Sequence, residues 1–288
     1  MCKLLIIPHL DKDKENFFKF LVRAVGPLSE KDGDGFGYAA LDSKGNLFSE
    51  KWVNPRDAFA PKKSKDNKPI IDGYQGVLSI ADDYRRTGKV NMEDAVTMII
   101  HARKATSSVS IKNTHPFLLN DTALIHNGMV DTDNLELKES SCDSEGILNV
   151  YIKSDVINNI NNIKDFAKQV KGSYACGILA KDILGQWYLD IIKDNSTKLS
   201  AAFISELNTL VFCTDINIVI NICRRLKWHI TTKFVVKNNH IIRHDALTGK
   251  VLETLEFTPT KRHHYSSTGS GSGSNWSGSY KGGRYFFK

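Results

Sequence analysis

The chain has 288 residues, of which 41% are hydrophobic and 25% charged, and its formal net charge is +7 at pH 7. This composition is ordinary for a soluble globular protein and excludes collagen, a disulfide-dense miniprotein and wholesale disorder. Residues 1–260 hold 34 basic against 32 acidic side chains, and residues 261–288 hold five basic side chains and no acidic one. The excess charge therefore does not indicate that the main part of the chain binds nucleic acid.

The sequence predicts neither a membrane span nor an export signal. No apolar run reaches the ~18–20 residues that a membrane helix needs, and the apolar segment at 1–8 is too short for a signal peptide. The five cysteines show no CxxC spacing, which disfavours a disulfide framework or a zinc site and indicates a reducing compartment. We therefore expect a cytoplasmic protein with no membrane partner and no metal.

Short strands and turns dominate the first half of the chain. In chain order, the predicted elements are a strand at 3–7, a helix at 17–24, a strand at 36–42, a hairpin turn at 43–46 into a strand at 47–48, a polar loop at 54–76, and strands at 95–102 and 122–126.

The second half alternates a few helices with further strands. The predicted helices are 144–153, 163–170 and 216–226, and the predicted strands are 174–180, 187–193, 202–204, 209–212, 234–236, 240–243 and 250–256. Many strands with few, segregated helices favour an α+β or layered α/β architecture over a doubly wound sheet.

The last residues have a different composition. From Ser266 onward the chain is rich in Ser, Gly and aromatic residues, which predicts a flexible basic tail at 261–288 after a domain at 1–260. Aromatic and cationic side chains together suit single-stranded nucleic acid. We favour the alternative, in which the tail docks on a partner protein.

Cys2 is the first candidate for chemistry. Once the initiator methionine is removed, its thiol and the α-amine belong to one residue. The amine has an ordinary pKa of about 7.7–8.0 and can serve as the base for its own thiol. The alternative is an incidental cysteine at the second position.

Residues 101–106 lie at the end of a predicted apolar strand. Arg103 offers a planar fork suited to a carboxylate, and Thr106 adds a nearby hydroxyl. A surface arginine followed by a threonine in a turn is the alternative interpretation.

Asn127 and Gly128 follow the predicted strand at 122–126. An Asn amide and the N–H of a following Gly can bind one developing negative oxygen, because Gly permits unusual backbone geometry. The same pair could form a hairpin turn. Asp143 precedes a predicted helix, where it could be an N-cap or could bind an ammonium group.

The order of these residues is more specific than any one of them. The cysteine at position 2 is followed by Asp-Gly-Phe-Gly at 34–37, His-x-Arg-x-x-Thr at 101–106, Asn-x-His-Pro at 113–116, His-Asn-Gly at 126–128 and Asp-Ser-Glu at 143–145. From Cys2 to about Asp215, this order resembles the class II glutamine amidotransferases, which are N-terminal-nucleophile (Ntn) enzymes. Their stand-alone members look most similar.

The resemblance implies an α+β fold, namely a four-layer αββα sandwich of two antiparallel sheets. It also implies a nucleophile with its own α-amine as base, an oxyanion hole, and groups that hold the α-carboxylate and α-ammonium of glutamine. The implied catalytic residues are Cys2, Asn127 and Gly128; the substrate-binding residues are Arg103, Thr106 and Asp143; and the supporting residues are Gly37, His101 and His115.

Glutamine is the implied substrate, with ammonia and glutamate as products and no cofactor. Lys3 stands where many members have Gly, Lys104 where several have an aromatic residue and Ser107 where some have His. These departures leave another γ-glutamyl amide open as substrate. An inactive binding protein on the same fold is a further alternative. Because only about 70 residues follow Asp215, without a phosphate-binding loop or dinucleotide motif, we expect a separate ammonia-using synthase subunit or a free glutaminase.

Overall fold

Two antiparallel sheets form the centre of the protein in a computed structural model, which describes residues 2–10, 16, 20, 21, 23, 24, 34–53, 94–105 and 109–260. The described strands are β1 (Lys3–Ile7), β2 (Gly35–Asp42), β3 (Leu47–Trp52), β4 (Ala95–Arg103), β5 (Phe117–Leu119), β6 (Thr122–Val130), β7 (Gly172–Lys181), β8 (Trp187–Lys193), β9 (Ser200–Ile204), β10 (Thr209–Cys213), β11 (Ile230–Val235), β12 (His240–Asp245) and β13 (Val251–Glu256).

Sheet A has the strand order β11-β9-β10-β1-β4-β2-β3, and sheet B has the order β13-β12-β8-β7-β6-β5. Three α-helices are described in full, namely α1 (Asp143–Lys153), α2 (Ile163–Gln169) and α3 (Ile216–Leu226).

Side-chain alternation divides each central strand between two layers. In β4, Met98 and Ile100 point to the outer face of sheet A, whereas Ile99 joins a cluster with Ala123 and Ile125 of β6. That cluster is the apolar layer between the two sheets. The stacked sheets thus bury both faces of β4, which explains its nearly continuous apolar sequence.

Helices cover the two outer faces. The apolar side of α3, including Val219 and Ile222, packs on sheet A, and Ile147 of α1 and Phe166 of α2 lie in the cluster on sheet B. The result is the four-layer αββα sandwich that the resemblance implied.

A buried ion pair anchors α1 to sheet B. Arg243 on β12 donates to both oxygens of Asp190 on β8, at 2.8 and 2.6 Å, and the Tyr151 hydroxyl of α1 donates to the same carboxylate at 2.6 Å. Because the buried charges are paired and hydrogen-bonded, their desolvation is compensated. Tyr151 therefore fixes the end of helix α1 on sheet B, and the first turn of the same helix lies at the candidate site.

Most of the predicted elements are confirmed, and four strands differ clearly. Strand β3 continues beyond the predicted 47–48 to Trp52. Strand β6 continues to Val130, so that Asn127-Gly128 lies within a strand instead of forming a hairpin turn. Strand β5 was not predicted, since three residues are too few to show a period. The start of β11 at Ile230 was missed because residues 231–233 are exposed and polar and carry no apolar pattern.

Some predicted segments lie outside the described residues. Of the helix predicted at 17–24, the four described positions are helical, and the rest is not described. The loop at 54–76 and the tail at 261–288 also lie outside the described part. Among the described residues, no helix has the length and apolar character needed to cross a membrane.

Candidate active site

Strand alternation puts Cys2 and Arg103 on the same side of sheet A. Leu4 and Ile6 point into the layer between the sheets, and Cys2 continues their alternation towards the start of the chain. Arg103 follows Ile99 with the same parity. Since Lys3 pairs with Ala102, Cys2 and Arg103 lie side by side at one end of β1 and β4.

Backbone and side-chain groups of neighbouring segments hold the start of β1. The N–H of Lys104 donates to the Cys2 sulfur at 3.3 Å, and this sulfur lies 3.4 Å from the Lys104 carbonyl oxygen. Thr214 accepts the N–H of Leu4 at 3.1 Å, and Lys3 pairs with Asp215 at 3.3 Å. The half-buried thiol is thus fixed against the end of β4 and remains accessible to a small molecule.

Asn127 and Gly128 come from sheet B. Asn127 has the parity of Ala123 and Ile125, so its side chain points towards sheet A, and it is only 4% exposed. Gly128 has a φ of +150°, and a Cβ atom there would lie 2.0 Å from the Ser173 carbonyl oxygen. Only glycine fits this position, because a Cβ atom would collide with the backbone of β7.

The glycines of the Asp-Gly-Phe-Gly segment make room for the loop at 113–116. A Cβ atom on Gly37 would lie 2.1 Å from the His115 carbonyl oxygen. Lys51, beside Gly37 on β3, donates to the carbonyl oxygens of Thr114 at 3.1 Å and Pro116 at 3.4 Å. The loop is therefore clamped onto β2 and β3.

Asp34, the first residue of the same segment, accepts the backbone N–H of Ala105 at 2.7 Å. This hydrogen bond fixes the chain directly after Arg103 and Lys104. The predicted substrate residue Thr106 follows at once, but it lies outside the described residues.

His101 and His115 stack at the same end of the inner layer. Their ring centroids are 3.8 Å apart, and both side chains are buried. Burial, with repulsion from His126 and Arg103, lowers the pKa of His101 to about 3 and puts that of His115 well below its usual value. Both rings are therefore neutral at neutral pH, and the cationic side chains near them are Arg103 and Lys51.

Asp143 is the first residue of α1 and not its N-cap. Cys142 occupies the N-cap position without a capping hydrogen bond from its side chain. The Asp143 carboxylate accepts the N–H of Val130 at 2.9 Å and lies 3.8 Å from Nδ1 of His126. The acid is thereby joined to the end of β6, two residues beyond Gly128.

Three residues to which the sequence analysis assigned no role organise this region: Lys51, Ser144 and Glu145. The Ser144 hydroxyl lies 2.8 Å from Nε2 of His115 and 3.0 Å from Nδ1 of His126. The only sequence signal for a role of Ser144 was its place in the Asp-Ser-Glu segment at the start of a predicted helix. Nothing in the local sequence marks Lys51.

No group of three or more His, Cys, Asp or Glu side chains in the described ranges is arranged to hold a metal ion.

Two solved structures share this architecture. Glutamine phosphoribosylpyrophosphate (PRPP) amidotransferase from B. subtilis, complexed with ADP and GMP, matches with a TM-score of 0.58 and 15% identity, over 89% of this chain and 49% of its own. An allosteric regulatory enzyme of purine biosynthesis matches with a TM-score of 0.58 and 16% identity, over 88% of this chain and 49% of its own. The chain thus spans about half the length of these structures.

This is the Ntn-hydrolase fold. At 15% and 16% identity, the likeness concerns the architecture, and the activity has to be argued from the site. The sequence itself matches no protein-family model and no curated protein.

Proposed function

We propose that the chain is a class II glutamine amidotransferase or glutaminase in which Cys2 attacks the side-chain amide of glutamine. The position of Cys2 carries the proposal. Its accessible thiol lies beside Arg103 at one end of the inner face of sheet A, and β6, which carries Asn127, lies against β1 and β4. The proposal thus takes the nucleophile from the start of β1, the carboxylate-binding cation from β4 and the oxyanion donor from β6, a strand that packs on the other two.

In the proposed reaction, removal of Met1 frees the α-amine of Cys2. This amine takes the thiol proton as the sulfur attacks the amide carbon, and the Asn127 amide and the Gly128 N–H stabilise the tetrahedral oxyanion. The amine then protonates the leaving ammonia. Water hydrolyses the γ-glutamyl thioester to give glutamate and the free thiol.

The ends of the substrate carry opposite charges, and the site has groups for both. Arg103, with Thr106, would hold the α-carboxylate through paired hydrogen bonds. Asp143 would hold the α-ammonium group, since its carboxylate is kept in place by the N–H of Val130. The neutral His101 and His115 add no competing positive charge.

The use of the ammonia is a separate part of the proposal. Strands β11, β12 and β13, which follow the matched motifs, complete the two sheets and do not form a second domain within the described residues. We propose that a separate synthase subunit in the cytoplasm accepts the ammonia. The basic aromatic tail is the segment that we propose contacts it.

The test is release of glutamate and ammonia from glutamine by the full chain and by Cys2→Ala. We expect the variant to be at least about 10³-fold slower, as for loss of a nucleophile. Intact mass should show that Met1 is absent, and a glutamine-mimicking diazo ketone should add to residue 2.

Cys223→Ala is the matched control. This thiol lies on α3, and its burial raises its pKa to about 11, so its removal should leave turnover unchanged. Retention of Met1, or equal release by wild type and Cys2→Ala, would contradict the proposal. Assays with other γ-glutamyl amides would then separate a different hydrolase from an inactive binding protein.

A further inference from the structure

Ser144 connects two buried histidines that come from different parts of the chain. Its hydroxyl oxygen lies 2.8 Å from Nε2 of His115, in the loop before β5, and 3.0 Å from Nδ1 of His126 on β6. All three side chains are almost completely buried. Water therefore does not compete for these hydrogen bonds, and the single hydroxyl proton decides their direction.

The direction follows from His115. Its buried Nδ1 has no hydrogen-bond partner among the described residues, so the ring proton lies on Nε2 and is donated to the Ser144 oxygen. The Ser144 proton then points to Nδ1 of His126, whose Nε2 faces the carbonyl oxygen of Ser173 at 3.5 Å. A neutral ring that donates from Nε2 has a lone pair on Nδ1, and this lone pair accepts the Ser144 O–H.

Two other groups are within reach of the Ser144 hydroxyl but are more distant. The sulfur of Cys142 lies at 3.4 Å and Oδ1 of Asp143 at 3.5 Å. The contact with Asp143 is long for a hydrogen bond between oxygens, and the contact with Cys142 is a weak hydrogen bond in which the thiol donates to the Ser144 oxygen. The two histidines are therefore the principal partners of Ser144.

The His126 ring lies against the backbone of Gly128. A Cβ atom on Gly128 would be 2.9 Å from Nε2 of His126 and 2.0 Å from the carbonyl oxygen of Ser173, the group that this nitrogen faces. The hydroxyl of Ser173 also accepts the N–H of Met129 at 3.2 Å. The His126 ring thus lies against both β6 and β7 at Gly128.

We infer that Ser144 is a positioning residue, which locks His115 and His126 in their Nε2–H tautomers and, through His126, holds the Gly128 backbone in place. The inference concerns the ring tautomers first, and its kinetic consequence rests on the proposed function. Ser144 does not contact the substrate. It acts by fixing the strand that supplies the oxyanion donors.

The first test needs no variant. Long-range ¹H–¹⁵N spectra of the ¹⁵N-labelled full chain at neutral pH should show both rings neutral, with the proton on Nε2 and a lone pair on Nδ1. An Nδ1–H tautomer at either His115 or His126 would overturn the inference.

The second test compares Ser144→Ala with Ser144→Thr, which retains the hydroxyl. The alanine variant should show mixed tautomers at both rings. Its kcat on glutamine should fall about tenfold or more, with KM within about twofold, because small displacements of transition-state donors are costly while substrate-binding groups stay in place. The threonine variant should restore the wild-type tautomers.

Thr97→Val is the matched control for loss of a buried hydroxyl. Thr97 is fully buried on β4, and its hydroxyl donates to the Pro8 carbonyl oxygen at 2.9 Å, outside the histidine cluster. We expect this variant to lose stability without any change in the histidine spectra or in kcat.

The outcomes separate the two proposals. A Ser144→Ala protein that is less stable but keeps single Nε2–H tautomers and wild-type kcat has only lost packing, and that result would overturn the inference. A wild type that does not turn over glutamine refutes the proposed function instead. The histidine spectra would still decide the role of Ser144.

Discussion

Asn127 and Gly128 are neighbours in β6 that contribute different parts of themselves. The Asn127 side chain is buried and points towards sheet A, so its amide is the functional group. At Gly128, the missing side chain is what matters, because any Cβ atom would collide with the Ser173 carbonyl. The Asn127 side chain can therefore be truncated without disturbing the backbone, whereas no side chain can be added at Gly128.

Asn127→Ala should lower kcat on glutamine about 10²–10³-fold, the cost typical of one lost oxyanion donor, with a smaller effect on KM. Steady-state ammonia release measures this change. Asn221→Ala, at an exposed position on α3, is the control and should have no effect. A decrease in kcat of less than about threefold for Asn127→Ala would contradict the oxyanion role of this residue.

Gly37→Ala should lower the free energy of unfolding by about 1–3 kcal/mol or more, because its new methyl group would lie 2.1 Å from the backbone carbonyl of His115. Gly35→Ala should cost less, since it meets only side-chain atoms of Thr114, the nearest at 2.7 Å. Urea unfolding of both variants measures the difference. If Gly35→Ala were the more destabilising change, the loop at 113–116 would move away from a new methyl group at little cost in free energy.

The first turn of α1 joins three segments through three consecutive residues. Asp143 accepts the N–H of Val130, Ser144 contacts the two histidines, and Glu145 accepts the backbone N–H groups of residues 138–140. The first turn of α1 thus fixes the end of β6, the loop that carries His115 and the residues before α1. Disturbing this turn should affect stability and the site together.

Glu145 makes part of this stability depend on pH. Burial raises its pKa, but hydrogen bonds from the Ser140 side chain and from the backbone at 138–140 outweigh burial and hold the pKa below its usual 4.5. A carboxyl group with a lowered folded pKa stabilises the fold above the unfolded pKa, and this contribution is lost as pH falls through the folded value.

Glu145→Gln should therefore be less stable than wild type between pH 5 and 7, and the difference should shrink below about pH 4.5. Urea unfolding at several pH values measures it. Glu253→Gln, at an exposed position on β13, is the control, and its difference from wild type should remain small throughout. A constant Glu145→Gln difference down to pH 3 would contradict the assignment.

At the scale of the whole molecule, the site depends on how closely the two sheets stack. Gly177 on β7 faces Ile6 on β1, and a Cβ atom on the glycine would lie 2.7 Å from Ile6 Cδ1. The proposed site takes Cys2 and Arg103 from sheet A and Asn127 from sheet B, so it requires a close approach of the two sheets. The inter-sheet contact therefore links stability to the geometry of the candidate site.

Gly177→Ala should destabilise the protein by about 1–3 kcal/mol through overpacking. Ile6→Val removes the methyl group nearest to the new atom, and alone it should cost about 0.5–1.5 kcal/mol. The double variant should be more stable than the sum of the two effects predicts, by at least about 0.5 kcal/mol. Thermal and urea unfolding measure this cycle, and strict additivity would mean that the two side chains do not meet.

Much of the architecture was predictable because its signals are local. Apolar runs and alternation identified β1, β4, β7 and most other strands, and α3 showed its apolar stripe. The order of the motifs also led to the sandwich and to the candidate residues Cys2, Arg103 and Asn127. The roles of these residues, and that of Thr106, stay predictions.

The sequence by itself determined most of the segments that become strands and helices, since alternation and helical spacing reflect contacts within one element. Only the tertiary structure decided that Asn127-Gly128 continues a strand and that Asp143 bonds to Val130 instead of capping its helix. The same was true of Ser144 and Lys51, whose partners in the loop at 113–116 are far away along the chain. Such contacts depend on how the sheets stack and leave no periodic pattern around either residue.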